Sequence, residues 1–326
     1  MTKADLRIVF MGTPEFAVPS LAILLENNFN VVAVVTVPDK PAGRGLQLHE
    51  SAVKKFAIAH HLPLLQPEKL KDEQFISALA SYKANLQIVV AFRMLPQMVW
   101  QMPELGTFNL HGSLLPQYRG AAPINWAIMN GEKETGVTTF FLKHEIDTGN
   151  ILHSAKCPIN PEDNAGSIHD KLMLIGADLV LKTVVDIMNQ TVHPRPQEQL
   201  MGTEINLAIA PKILKQDCKI DWNLTCQSIF NKVRGLSPFP TAFADFTDGT
   251  AIISFKIFET TVEVCAHHEQ VGKLISDNKN FLKIAVLDGY VHLINLQLAG
   301  KRRMNTLDFL RGFQFSGSWK SHSTSV

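Results

Sequence analysis

The chain has 326 residues, 46% of them hydrophobic and 19% charged, with a formal net charge of +1. This is the balance of a soluble globular protein able to bury a sizeable core, and so small a net charge announces no partner for the molecule as a whole. No apolar run approaches the roughly 20 residues of a membrane span, and MTKADLRIVFMG passes from charge straight into a strand-like stretch rather than a signal peptide, so the expected setting is cytoplasmic, with no membrane partner. The four cysteines, Cys157, Cys218, Cys226 and Cys265, form no CxxC pair. Neither a zinc ribbon nor a disulfide framework is expected, and no metal. From Asn206 onward there are 14 Lys+Arg against 10 Asp+Glu, whereas residues 1–205 carry 17 against 20. A mildly basic second half is compatible with a nucleic-acid partner.

In chain order, Leu6–Met11 reads as a short, wholly apolar buried strand ended by Gly12, with Thr13 as N-cap and Pro14 at the first position of a helix to about Glu26. Val31–Val37 is a second buried strand, and a Gly/Pro-rich loop runs from Pro38 to about Leu48. Helices follow at Ser51–His60 and Asp72–Ser81, then strands at Leu86–Phe92, Thr107–Leu110, Val137–Leu142 and Ile151–Ser154, and a long amphipathic helix at Ser167–Met188. Apolar strands alternating with helices predict a doubly wound α/β fold with a mostly parallel, Rossmann-like sheet. Beyond a polar, proline-bearing stretch come a helix at Thr225–Arg234 and short strands at Ile252–Phe258, Val262–Ala266, Leu282–Val286 and Tyr290–Leu296, with hairpin signals at Asp248-Gly249 and Asp288-Gly289. That pattern predicts a small C-terminal β-barrel of the OB type. The expected organisation is a catalytic domain at 1–190, a linker at 191–206, a barrel at 207–315 and a flexible tail at 316–326.

The first loop, Gly12-Thr-Pro-Glu-Phe-Ala17, sits where a dinucleotide-binding domain keeps its glycines, and Asp39 sits where an acid would meet the ribose. A dehydrogenase is therefore a rival reading. Pro14 removes an N–H donor, however, and Glu15 places negative charge where a phosphate would bind. A plain strand-to-helix turn fits better.

Asn109 and His111 bracket Leu110 at the carboxyl end of a strand, where open α/β sheets place their ligands. Period-two alternation sends both side chains to one face, an amide and an imidazole able to stabilise one oxyanion. Asp147, in EIDTGNI, ends the next main-sheet segment, and a carboxylate there would orient the imidazole. Ser113 lies in no GxSxG elbow, so direct attack of an acceptor amine on a bound carbonyl is expected rather than a covalent intermediate.

Asn109-Leu-His-Gly-Ser-Leu-Leu-Pro-Gln-Tyr-Arg-Gly-Ala-Ala-Pro123, Glu134-Thr-Gly-Val137 and Asp147-Thr-Gly149 strongly resemble the folate-dependent formyltransferases. The opening Val9–Leu21, the loop Pro38–Gly45, Ile220-Asp-Trp222, Arg234 with Pro238-Phe-Pro240 and Gln297–Met304 are similar to the branch of that family that acts on tRNA. The resemblance implies a catalytic set of Asn109, His111 and Asp147 and a folate site formed by Ser113, Leu114, Leu115 and Pro116. Where the family usually has a tyrosine-glycine pair after the strand at 86–91, this chain has Phe92-Arg93-Met94-Leu95, one residue shorter, so Phe92 and Met94 stand in the segment implied to meet the pterin. It implies tRNA contacts at Lys40, Arg44, Lys212, Arg234, Lys301 and Arg302. It also implies a reaction: the formyl group of the co-substrate 10-formyltetrahydrofolate passes to the amino group of initiator methionyl-tRNA, on a monomeric protein without a metal. Formylation of a sugar nucleotide or purine precursor, and a folate- or RNA-binding module without catalysis, are the alternatives.

Overall fold

Ile8, Val9, Phe10 and Met11 are wholly buried in strand β1 (Arg7–Gly12), within a computed structural model that describes residues 1–42, 47–200 and 206–322. The chain divides into two compact units, one of Met1–Gly120, Glu134–Pro158 and His169–Ile209, the other of Ala121–Lys133, Ile159–Ile168 and Ala210–Val326. No helix among the described residues is long and apolar enough to cross a membrane.

The first unit is built on a seven-stranded sheet. With β2 (Asn30–Val35), β3 (Leu64–Leu65), β4 (Leu86–Val90), β5 (Thr107–His111), β6 (Glu134–Phe141) and β7 (Ile151–Pro158), its order is β7-β6-β5-β4-β1-β2-β3. The pairings β3–β2, β2–β1, β1–β4 and β4–β5 are parallel; β5–β6 and β6–β7 are antiparallel. Strands buried on both faces are mostly apolar, which is why β1 and β4 show no alternation; the buried Gln87 of β4 is the exception, its Oε1 accepting from the Thr107 hydroxyl. Helices start where the sequence places short polar residues: the Ser51 hydroxyl accepts from the Lys54 amide, and the Asp72 carboxylate from those of Gln74 and Phe75, so both residues are N-caps rather than first helical residues. Thr13 caps nothing. Pro14 takes the cap position of a 3-10 turn at Glu15–Ala17, the helix proper is Val18–Glu26 with Pro19 in its first turn, and the Thr13 hydroxyl is buried without a hydrogen-bond partner among the described residues. The loop after β2 also differs from expectation, since Lys40–Ala42 and Gln47–His49 pair as a short antiparallel ribbon. The long helix Ala165–Met188 belongs to this unit from His169 on. It lies close on β5, for a Cβ on Gly176 would come within 2.7 Å of the Leu110 side chain.

The second unit holds a closed six-stranded antiparallel barrel. Strands β8 (Ala242–Thr247), β9 (Ile252–Val264), β10 (Lys273–Ser276), β11 (Leu282–Val286), β12 (Gly289–Leu298), β13 (Met304–Asn305) and β14 (Trp319–Ser321) run in the order β9-β8-β14-β10-β11-β12-β13, and β9 also pairs with β12 to close the circle. Closure leaves few free edges. The two strands expected at 252–258 and 262–266 are one. Its register with β12 shifts around Glu259, and such irregularities break period-two alternation in a sequence. The core is aromatic, with Phe246 and Phe255 ring centroids 6.0 Å apart and Phe255 edge-on to Phe309 at 5.4 Å. Trp319 is buried, and its strand pairs with both β8 and β10. This corrects the expected flexible tail, because burying an indole against Phe315 outweighs the polar composition of its neighbours. Residues 323–326 lie outside the described residues.

Candidate active site

The chain steps from β1 outward to β3, then returns to β4 on the other side of β1. The carboxyl ends of β1 and β4 therefore flank a topological switch point, the usual ligand crevice of such sheets. Asn109 and His111 stand at the carboxyl end of β5, the strand next to β4, with alternation placing both side chains on one face. Asn109 is half-buried and His111 is 6% exposed. The His111 Nε2 lies 2.9 Å from the Tyr118 carbonyl oxygen, an acceptor, so Nε2 carries the proton of the neutral ring. The Nδ1 edge faces Asp147, whose Oδ2 is 3.8 Å away. That distance exceeds a hydrogen bond, and the carboxylate stands beside the ring nitrogen that faces away from the Tyr118 carbonyl.

Asp147 has φ 55°, the left-handed region that Asp and Asn tolerate best among non-glycine residues. Its Oδ2 accepts the Gly120 amide at 3.0 Å. The loop is held from behind by Gln197, a wholly buried residue. Its Nε2 donates to the carbonyls of Asp147 (2.8 Å) and Gly149 (2.9 Å), while its Oε1 accepts from Nε and Nη2 of Arg119. Gln197 lies in the stretch read as a linker, and no local periodicity marks it. In the structure that stretch carries a bridge from Arg195 to Ile151 and a 3-10 turn at Gln197–Leu200. Gly149 is fixed for a steric reason: a Cβ there would lie 1.5 Å from the Phe141 carbonyl oxygen. A Gly149→Ala variant is expected to lose about 3 kcal/mol in a urea melt, the upper end of what overpacking costs; an unchanged midpoint would show that the loop yields.

Ser113, Leu115 and Pro116 are buried and Leu114 is half-buried. The Ser113 hydroxyl donates to the Gln117 carbonyl at 2.6 Å, and Thr138 ties the segment to β6, its hydroxyl donating to the Ser113 carbonyl and accepting the Leu115 amide. The segment is thus a braced wall, and the Ser113 hydroxyl is committed to the fold. Phe92 packs with its partly buried ring against the cluster of Val89, Leu95 and Val99, whereas Met94 is 74% exposed. Both oxygens of Asp39 are occupied, one by Lys54 and the other by Gln66. These bonds, that to Lys54 foremost, hold its carboxyl below the ordinary aspartate value. An aspartate so engaged does not fit a ribose-binding acid.

Among the basic residues, Lys40 is exposed in the first unit, and Lys212, Lys301 and Arg302 are exposed in the second. Arg44 lies outside the described residues. Arg234 corrects its expectation. It is 8% exposed; its guanidinium donates to the Asn231 side chain and to the carbonyls of Asn160 and Asp163, and it stacks on Phe230. These bonds hold residues 160–163 to the helix Cys226–Leu236 and leave the side chain no access to a phosphate.

Residues 6–184 match the family model described as formyl transferase, and residues 212–314 that described as formyl transferase, C-terminal domain. The methionyl-tRNA formyltransferase of Bacteroides thetaiotaomicron is 55% identical over 98% of this chain and 99% of its own. That of Phocaeicola vulgatus is 56% identical over the same shares, and that of Flavobacterium johnsoniae 51% over 97% and 98%. Among solved structures, the sugar 3N-formyl transferase WlaRD, determined with dTDP and 5-N-formyl-THF, superposes with a TM-score of 0.63 at 21% identity over 91% of this chain and 99% of its own. HypX from Aquifex aeolicus gives 0.63 at 19% over 94% of this chain and 49% of its own. Likeness at that identity speaks to the fold alone.

Proposed function

The chain belongs to the formyl transferase family, and from that premise we propose that it transfers the formyl group of 10-formyltetrahydrofolate to the α-amino group of methionine on initiator methionyl-tRNA, giving N-formylmethionyl-tRNA. The end-to-end similarity to relatives that bear that activity in their names supports the acceptor. The observation that carries the chemistry is the placing of His111 Nδ1 3.8 Å from the Asp147 carboxylate, with Asn109 on the same face of the strand.

In the proposed step the amine lone pair attacks the formyl carbon, and the C=O π electrons move onto oxygen. The Asn109 carboxamide and the Nδ1 edge of a protonated His111 lower the energy of that oxyanion. Collapse re-forms C=O and breaks the bond to the folate nitrogen, which takes the electron pair and a proton, while the amine nitrogen gives up a proton. Asp147 supports the imidazolium and passes protons between these groups. The committed Ser113 hydroxyl fits a route with no covalent intermediate. The wall at 113–116 and the Ala91–Leu95 loop are the proposed folate-binding surfaces.

Lys40, Lys212, Lys301 and Arg302 are the proposed phosphate contacts, being exposed cations free to release counterions from RNA. Replacing Lys301 and Arg302 by alanine is expected to flatten the plot of log affinity against log salt by about one unit per contact; an unchanged slope would remove them from the interface. The acceptor is tested by offering initiator methionyl-tRNA and a dTDP-amino sugar together with limiting 10-formyltetrahydrofolate. Formylated methionine is expected, and product on the sugar alone would overturn the proposal.

A further inference from the structure

Ala91–Leu95 follows β4 at the switch-point crevice, and its course is set by an unusual set of holds. Ala91 has φ 47°, an uncommon conformation for a residue with a Cβ. Phe92 and Leu95 pack into the cluster beneath the sheet, while Ala91 and Met94 face outward. Between them, the Arg93 guanidinium reaches across to the segment after β3, donating from Nη1 to the Glu68 carbonyl at 3.0 Å and from Nη2 to the Pro67 carbonyl at 2.7 Å. Its carbon stands 5.3 Å from the Phe92 ring centroid. Arg93 Nε is buried without a partner among the described residues.

We propose that Arg93 is a positioning residue for the formyl donor: its fork across two successive carbonyls fixes Ala91–Leu95 at the crevice and so sets donor affinity, without touching the reacting atoms. The inference rests on the reading of this crevice as the folate site. Carbonyls of adjacent residues present two acceptors at a spacing that a rigid planar fork matches and a single ammonium does not, so lysine is a poor substitute here. The fork joins two loops that β1 and β2 separate in the sheet, β4 and β3 lying on opposite sides of that pair. Without it, the loop keeps its apolar anchors but loses its tie to the neighbouring segment. The ordering it supplied must then come from donor binding, which weakens affinity while leaving a bound donor correctly placed.

Arg93→Ala and Arg93→Lys, each checked for folding by thermal melt, are assayed for kcat and for the KM of each substrate. Arg93→Ala is expected to raise the KM for 10-formyltetrahydrofolate roughly tenfold, as loss of charged hydrogen bonds implies, with kcat lowered by no more than about threefold and the acceptor KM unchanged. Arg93→Lys should fall between Arg93→Ala and the parent. A donor KM within about twofold of the parent in a folded Arg93→Ala overturns the inference, as does a parallel loss in kcat and both KM values, the mark of a merely structural role. Should Arg93→Ala fail to fold, Arg93→Lys decides: a raised donor KM supports the proposal and an unchanged one overturns it. A parent protein that transfers no formyl group from this donor contradicts the underlying reading instead, and the inference with it.

Discussion

Alanine at position 111 is expected to lower kcat by more than about a hundredfold while donor binding persists, since general acid–base groups contribute about 10²–10⁴ and a single oxyanion donor about 10²–10³. The size follows from the setting. His111 is 6% exposed, its Nε2 is bound to the Tyr118 carbonyl, and only the Nδ1 edge remains for chemistry. The ring therefore has a defined tautomer when neutral and one defined place for a second proton. Truncation removes the donor edge and admits water into the gap, and water brings no fixed dipole to the oxyanion. The wall at 113–116 is braced by Ser113, Gln117 and Thr138 rather than by His111, so donor binding, measured by titration with tetrahydrofolate, should change by less than about tenfold. Near-normal turnover in a folded His111→Ala protein would remove the residue from the mechanism.

Asp147→Asn is expected to cost kcat about 10²–10⁴ with little change in thermal stability. Asparagine keeps an oxygen to accept the Gly120 amide and suits the left-handed backbone at φ 55°, so the loop should persist. What it removes is the charge beside His111 Nδ1, and with it the proposed support for an imidazolium and the proposed acceptor for a proton in transit. Asp147→Ala differs in a useful way, because it also orphans the Gly120 amide and should lower stability by about 1–3 kcal/mol. Comparing the two separates the charge from the scaffold. Equal turnover in Asp147→Asn and the parent would leave the aspartate a turn residue and nothing more.

The sheet was readable because its signal is local: short apolar runs such as Ile8–Met11 and Ile88–Val90, alternating with helical stretches, admit few other arrangements. Asn109 and His111 were readable as strand-end polar residues; Asp147 sits instead in the turn between β6 and β7, six residues past the end of β6, and the structure brings it to His111 across 36 positions of sequence. Other features depend on contacts that no short window contains. Gln197 sits in a polar, proline-bearing stretch and becomes meaningful only through the Asp147 loop it holds. Arg234 looks like a surface cation until the carbonyls of Asn160 and Asp163 surround it. Trp319 stands among serines beside Lys320, yet its strand joins β8 to β10 in the barrel. Thr13 shows the reverse limit, since a residue with the right propensity for a cap is turned inward by the 3-10 turn that follows.

The most direct test is a single-turnover experiment with formyl-labelled 10-formyltetrahydrofolate and initiator methionyl-tRNA, run on the parent and on His111→Ala. Label is expected to pass to the methionine amino group with none retained on the protein at any time, and to pass more than about a hundredfold more slowly in the variant. Label trapped on the protein, or transfer to tRNA at the same rate in both, would contradict direct attack at a site built on His111.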